Sequence, residues 1–199
     1  MVERVSEIAD EDKFHAKLLE IDVAAARAVR SGRCSRPGCG GRLDVANYPR
    51  KVRGVGEGAA VAGRYDWRLS LCCSVRGCRR RATPPSVRFL GRKVYLGAVV
   101  VLATALQQGP TKLAVTRLAA LIGIDRRTLV RWRRWWTTMF VTSRFWTSLR
   151  GRLAPAVDEA ALPTSLMARL TATADNAVLA LLRLLAPVST QPHLDAHAS

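Results

Sequence analysis

The spacing of apolar residues predicts helices at both ends of the chain. An amphipathic helix is predicted over residues 10–31, and Gly32 stops it. Its apolar face contains Phe14, Leu18, Ile21 and Ala25. Residues 165–186 are mostly apolar and predict a second helical region, which Pro187 ends. These apolar faces fit either packing within the chain or contact with another subunit.

Alternating positions predict strands between residues 42 and 73. Residues 42–53 and 64–73 can pair around a glycine-rich loop at 54–63. In the second segment Trp67, Leu71 and Cys73 share an apolar face, whereas Arg68 and Cys72 share the opposite face. The apolar run Tyr95 to Leu106 has 12 residues, too few to span a bilayer, and we expect a buried core helix there.

A helix-turn-helix is predicted over residues 112–136. In the first helix Leu118, Ala119 and Ile122 form the apolar side, Gly123 permits the turn and Asp125 caps the next helix. On the second helix three large apolar residues fall on one side and three arginines on the other. The apolar set is Leu129, Trp132 and Trp136, and the basic set is Arg127, Arg131 and Arg134.

All five cysteines lie within residues 34–78. Cys34 and Cys39 form one C-x4-C pair, Cys73 and Cys78 form another, and each pair has glycine before its second thiol. Two such turns can bring four thiolates to one tetrahedral ion, so we predict a four-cysteine zinc ribbon. The odd number of cysteines disfavours disulfides. Strand alternation favours Cys73 over Cys72 as the third ligand, and Cys72 stays open as the alternative.

The charge distribution indicates a polyanionic partner. The net charge is +17, and 27 of the 32 basic residues are arginine. Residues 32–95 carry +12 and residues 96–152 carry +9, whereas each end carries −2. A basic block between mildly acidic ends favours nucleic acid.

The predicted contacts are with double-stranded DNA. Base contacts are predicted for the second helix of the helix-turn-helix, and phosphate contacts for the ribbon arginines. Nearest the base edges are Arg126, Arg127 and Thr128, and Arg131 and Arg134 reach further bases or phosphates. The ribbon set is Arg76, Arg79, Arg80, Arg81, Arg88 and Arg92. RNA binding through the ribbon remains an alternative.

The basic block does not contain a recognisable catalytic set. Enzymes that transfer polynucleotides use clustered carboxylates to hold two metal ions, but this block has only four carboxylates, three of them in or beside the ribbon. The four are Asp44, Glu57, Asp66 and Asp125. The chain is therefore predicted not to be an enzyme. The first 20 residues lack an apolar stretch, so we expect no signal peptide, no membrane partner and a cytoplasmic, nucleoid-associated protein. His193 and His197 lie in a tail that we expect to be disordered.

Three segments resemble small zinc-ribbon and helix-turn-helix proteins found with bacterial insertion sequences. They are CSRPGCGG, CCSVRGCRRRATPPSVRFLGRKVY and RTLVRWRRWW, within residues 32–152. The resemblance implies a transposon-associated DNA-binding protein without the catalytic domain of a transposase. A host transcriptional regulator, or a recruiter of a separate recombinase through the helical ends, remains an alternative.

These observations predict an α+β, mainly α protein in which a small zinc ribbon precedes a helix-turn-helix. The predicted parts are an N-terminal helix (1–31), the ribbon (32–95), the helix-turn-helix (96–152), a C-terminal helical segment (153–186) and a disordered tail (187–199). Homo-oligomers are compatible with this organisation.

Overall fold

The computed structural model describes residues 11–50, 66–90, 126–153, 155–171 and 176–190. These parts form a mostly helical α+β structure with two small antiparallel sheets. The helices are α1 (Glu11–Arg30), α2 (Arg126–Arg134), α3 (Arg144–Arg150), α4 (Thr164–Thr171) and α5 (Ala177–Leu185). The strands are β1 (Leu43–Val45), β2 (Tyr48–Pro49), β3 (Trp67–Arg68), β4 (Leu71–Cys73) and β5 (Arg81–Ala82).

The strands form a ribbon with one register. One sheet has the order β1-β4-β5, and β2 pairs with β3 in the other. Between the sheets, the Ala46 N–H donates to Ser70 O at 2.9 Å, but the Ser70 N–H donates to the Asn47 side chain at 3.0 Å. The side-chain oxygen of Asn47 thus takes the place of a backbone carbonyl, and this interrupts the hydrogen-bond ladder between the two sheets. The pairing register is the same on both sides of the interruption. The predicted pairing of 42–53 with 64–73 is confirmed within the described residues.

The helices bury their apolar sides in one core. Leu18 of α1 is buried, and Phe14 and Ile21 pack beside it, as the periodicity predicts. Four of the five tryptophans also lie in this core. The buried members are Leu18, Val87, Leu90, Leu129, Trp132, Trp135, Trp136, Phe140, Trp146, Leu162, Leu166, Leu181, Leu182, Leu185 and Val188.

A π-helical segment, Trp135–Phe140, follows α2 directly. It buries both Trp135 and Trp136, whose rings meet edge to face with centroids 4.9 Å apart. Trp135 is therefore buried in addition to the predicted Trp136. Ser143 then caps α3, and its hydroxyl accepts from the Trp146 N–H at 3.1 Å.

The predicted C-terminal helix is two helices. Asn176 caps α5, and its side chain accepts from the Leu179 N–H at 2.8 Å, so a polar residue starts a new helix inside the apolar run. A short 3-10 segment, Ala186–Thr190, follows α5. Its Val188 is buried, and the Ser189 hydroxyl accepts from the Ser86 N–H at 2.9 Å. Residues 187–190 therefore belong to the fold, and the predicted tail boundary at 187 is wrong.

The residues of β3 alternate between faces as predicted, but the expected burial of its apolar face is wrong. Trp67 is exposed and Arg68 is buried, whereas Leu71 and Cys73 are buried as predicted. On the face that Trp67 shares with Leu71, Val45 is exposed as well, whereas Arg68 and Ser70 on the other face are buried. On that other face Arg68 Nη2 donates to Pro84 O at 2.6 Å, and this bond lets a cation lie inside.

A buried carboxylate joins α1 to the segment that leaves the ribbon. Asp22 accepts from the Ser86 hydroxyl at 2.5 Å, from the Val87 N–H at 2.8 Å and from Arg88 Nε at 2.8 Å. The Asp22 and Arg88 side chains are 1% and 0% exposed. Arg88 also donates to Trp67 O at 2.9 Å. The prediction that Arg88 grips phosphate is therefore wrong, because its guanidinium is enclosed and paired.

Several predictions lie outside the described residues. These are the first helix of the helix-turn-helix with Gly123 and Asp125, the apolar run 95–106, the loop 54–63, Arg92, and the two histidines of the tail. Within the described parts, no helix combines the length and the apolar character needed to cross a bilayer.

Replacing Asp22 with Asn is expected to lower the free energy of unfolding by about 3 kcal/mol, because Arg88 would be left buried without its counter-charge. Chemical denaturation measures this change. The matched control is Glu20→Gln on the same helix, which removes an exposed ion pair with Lys17 and should change the free energy of unfolding very little, because water screens exposed charges. Equal effects of the two substitutions would contradict a structural role for the buried pair.

Candidate metal centre and basic helix

Four thiols converge at the end of the ribbon that holds β1 and β4. The Sγ atoms of Cys34, Cys39, Cys73 and Cys78 all lie within 4.8 Å of one another. Cys34 and Cys78 are 3.6 Å apart, and Cys39 and Cys73 are 3.5 Å apart. Each short distance joins one C-x4-C turn to the other, so the four sulfurs form one group that could hold a metal ion.

The two turns share one backbone pattern. The Cys39 N–H donates to Arg36 O at 3.1 Å, and the Cys78 N–H donates to Val75 O at 3.0 Å. Each turn also closes seven residues after its first cysteine. There the Cys34 N–H donates to Gly41 O and the Cys73 N–H donates to Arg80 O, both at 2.9 Å. The sequence repeat is therefore a repeat of structure.

Positive φ angles in the turns differ from the prediction. Gly38, before the second thiol of the first turn, has φ of 72° as expected, but Gly77 in the second turn has no positive φ. The shared feature is the residue after the second thiol, because Gly40 has φ of 55° and Arg79 has φ of 46°. A left-handed residue there turns the chain away from the thiols, and only the first turn has a glycine to signal it.

Backbone N–H groups point at the sulfurs. Those of Arg36, Val75 and Arg80 each donate to the cysteine two residues earlier. The Arg80 N–H is the largest cause that lowers the pKa of the Cys78 thiol to about 6. Such bonds favour thiolates, which are the form that ligates metal.

The pKa of the Cys73 thiol is raised by its surroundings. The Val75 N–H acts to lower its pKa, but burial and hydrogen bonds to the other three cysteines raise that pKa to about 12. Sulfurs this close cannot all ionise without a cation, because each thiolate disfavours the next. A bound metal would remove that obstacle and displace the remaining protons.

Cys72 is separate from the group. Its side chain lies on the other face of β4, and its Sγ donates to Arg79 O at 3.2 Å. The prediction that Cys73 rather than Cys72 joins the cluster is confirmed by the geometry. The burial expected from strand alternation, which fails at Trp67, therefore holds at β4.

Gly41 is a site residue that the sequence prediction missed. A Cβ there would lie 2.7 Å from Cys73 Sγ and 2.7 Å from Val75 Cγ2. The backbone thus packs directly against the sulfurs. Only glycine, which has no Cβ, fits at position 41 without displacing a neighbouring atom. The sequence feature that points to this packing is the second glycine after Cys39, because the repeated C-x4-C pattern does not account for a glycine there.

The ribbon arginines lie around the second turn. Arg76, Arg79, Arg80 and Arg81 are exposed. Arg81 lies across the sheet, where its Nη1 donates to Ala46 O at 3.0 Å and its guanidinium stacks over Tyr48. The ribbon surface next to the thiols is therefore positive.

The basic side of α2 is exposed and its apolar side is buried. Leu129, Trp132 and Trp136 lie in the core, whereas the arginines point outward. The exposed arginines are Arg127, Arg131, Arg133 and Arg134. Arg126 begins the helix, but its side chain lies outside the described part of the chain. The predicted division of this helix into two sides is confirmed.

Thr128 differs from its predicted place on the outer side. It is buried, and its hydroxyl accepts from Arg131 Nη2 at 3.1 Å. Its contribution is to orient the Arg131 guanidinium, and a direct contact with a base edge is excluded by its burial in this structure.

Comparison of the chain with protein-family models, with curated proteins and with solved structures finds no match.

A Gly41→Ala substitution is expected to weaken metal binding by roughly 10-fold or more, because its methyl group would displace Cys73 Sγ. Gly77→Ala is the matched control, since nothing lies within 4 Å of a Cβ there. Competition with a metal chelator measures both affinities. Equal affinities of these two variants would show that the tight packing at Gly41 does not bear on the metal.

Serine substitutions separate the two adjacent thiols. Cys73→Ser should abolish retention of the metal after dialysis, and Cys72→Ser should leave one ion per chain, measured by elemental analysis. The reverse result would overturn the assignment of the cluster.

Proposed function

We propose that this protein is a non-catalytic, double-stranded-DNA-binding protein with a structural zinc ion in its ribbon. The observation that carries the proposal is the outer side of α2. Three exposed arginines lie there, Arg127, Arg131 and Arg134, away from the buried apolar residues. The helix has no acidic residue, so its arginines repel one another until an anionic partner neutralises them. A DNA major groove is wide enough to admit such a helix.

Zinc suits the four thiols by geometry. Sulfurs at ~2.3 Å from a tetrahedral Zn²⁺ lie ~3.8 Å apart, close to the 3.5 and 3.6 Å of the two short pairs. Four thiols already fill the tetrahedral coordination of zinc, which favours a closed, structural site. The four cysteines would hold the ion, and the ion would supply structure without chemistry.

The metal is identified by elemental analysis of protein purified without added metal. We expect one zinc per chain, and substitution by cobalt should give the absorption bands of tetrahedral thiolate coordination. Iron in place of zinc, or no retained metal, would contradict the zinc site.

The ribbon and α2 have different parts in the proposed DNA complex. Arg79 and Arg80 lie on an exposed turn and would contact phosphates, which add affinity without reading sequence. Arg127 and Arg131 lie in the first turns of α2, the end of a recognition helix that contacts base edges. The Thr128 hydroxyl holds Arg131, which lowers the entropy lost when its guanidinium meets a base.

The DNA proposal is tested with a double variant. Changing Arg127 and Arg131 to Gln should lower the preference for a selected duplex over a random duplex by roughly 10-fold or more, since base contacts are worth about 1–3 kcal/mol each. Fluorescence anisotropy at fixed salt measures it. The matched control is Arg169→Gln, an exposed arginine on α4, which should leave the preference unchanged.

Two outcomes would contradict the proposal. An unchanged preference in the double variant would reject α2 as the reading element. Tighter binding of structured RNA than of duplex DNA by the unaltered protein would instead support the RNA alternative. An assay for strand cleavage or transfer with Mg²⁺ is expected to yield no product.

The proposed setting is a mobile element. The resemblance of the ribbon and α2 segments to insertion-sequence proteins supports an accessory or regulatory role there. An adjacent gene for a recombinase would support this role, whereas an adjacent host operon would favour a transcriptional regulator. Recruitment of a recombinase through the helical ends has less structural support, because Leu18, Leu166 and Leu181 are buried within this chain.

A further inference from the structure

We propose that Val130 reads a thymine by contacting its C5-methyl group in the major groove. The inference rests on the proposed function and adds a specificity-determining residue to it. Val130 is 57% exposed, and it is the one apolar side chain exposed on α2 among the residues that the structure describes.

The position of Val130 on the helix carries the inference. At about 100° per residue, Val130 lies about 60° from Arg127, about 40° from Arg134 and about 160° from Trp132. It is therefore near the middle of the outer side, between arginines, and faces away from the core. A single exposed valine elsewhere on a protein needs no explanation, but this one is placed where base edges would lie.

Folding gives no reason for valine at this position. Its exposed methyl groups add little to the core, and a β-branched residue is a weaker helix former than alanine, lysine or arginine. An apolar surface between cations would interrupt contacts with phosphates. The same apolar surface can pack against the methyl group of thymine, which is the apolar group that base edges present in the major groove.

The burial of Thr128 strengthens the assignment. A threonine methyl group can also contact thymine, and Thr128 is the nearest such residue on the helix. Thr128 is only 6% exposed, and its hydroxyl is bonded to Arg131. Among the described residues of α2, Val130 is therefore the one with apolar surface exposed for a contact with thymine.

The test compares thymine with uracil in DNA. The full-length, metal-loaded protein first selects a site from random duplexes, and each thymine of that site is then replaced in turn by deoxyuridine, which lacks only the C5-methyl group. We expect one or two replacements to weaken binding roughly fourfold, the value of burying one methyl group. Fluorescence anisotropy at fixed salt measures each duplex.

The variants assign the effect to one side chain. Val130→Ala should bind the thymine and uracil duplexes equally, and circular dichroism should show an intact helix, because alanine favours helix. Val130→Ile keeps a branched apolar side chain and should retain the preference. The matched control is Val45→Ala on the ribbon, where valine is 56% exposed, and this variant should retain the preference as well.

The outcomes separate this inference from the proposed function. Sequence-selective binding without any effect of the methyl group, or with the same effect in Val130→Ala, would overturn the role of Val130 alone. A selected site without thymine would also overturn it. No selective binding of duplex DNA would reject both the proposed function and this inference.

Discussion

Four thiol groups converge between two turns of the ribbon, and the stability of the ribbon depends on this convergence. Its own buried cluster consists of Cys34, Leu43, Leu71 and Cys73, so two of the four buried residues are cysteines. A core this small stabilises little by burial alone, and small domains of this kind usually add a metal or disulfides. Metal coordination would therefore supply the stability that burial does not, and the repeated turns are the form that coordination requires.

The ribbon is joined to the helical core by buried polar contacts. Asp22 holds Arg88, and the hydroxyl of Ser189 accepts from Ser86 and, at 3.4 Å, from Arg68. These contacts join α1, the end of the ribbon and the segment after α5. Buried polar groups need specific partners, so they fix one arrangement of the parts. The arginine surfaces of the ribbon and α2 consequently belong to one folded protein.

Periodicity and spacing predicted the elements whose burial follows a simple pattern: α1, the two sides of α2, and the convergence of Cys34 with Cys78. They failed where a polar side chain overrides the pattern. Alternation puts Arg68 on the face opposite the apolar one, and composition puts Arg88 among the phosphate contacts, because arginine is rarely buried. Only their distant partners Pro84 and Asp22 explain their burial. Gly41 and Val188 also depend on contacts far along the chain, which no local pattern contains.

The salt dependence of duplex DNA binding by the metal-loaded protein tests the central claim most directly. Neutralisation of four to six phosphates by the exposed arginines of α2 and the ribbon predicts that the logarithm of affinity falls linearly with the logarithm of salt concentration. The expected slope is about −3.6 to −5.4, or −0.9 for each phosphate. An affinity that does not change with salt, or no binding even at low salt, would contradict the account.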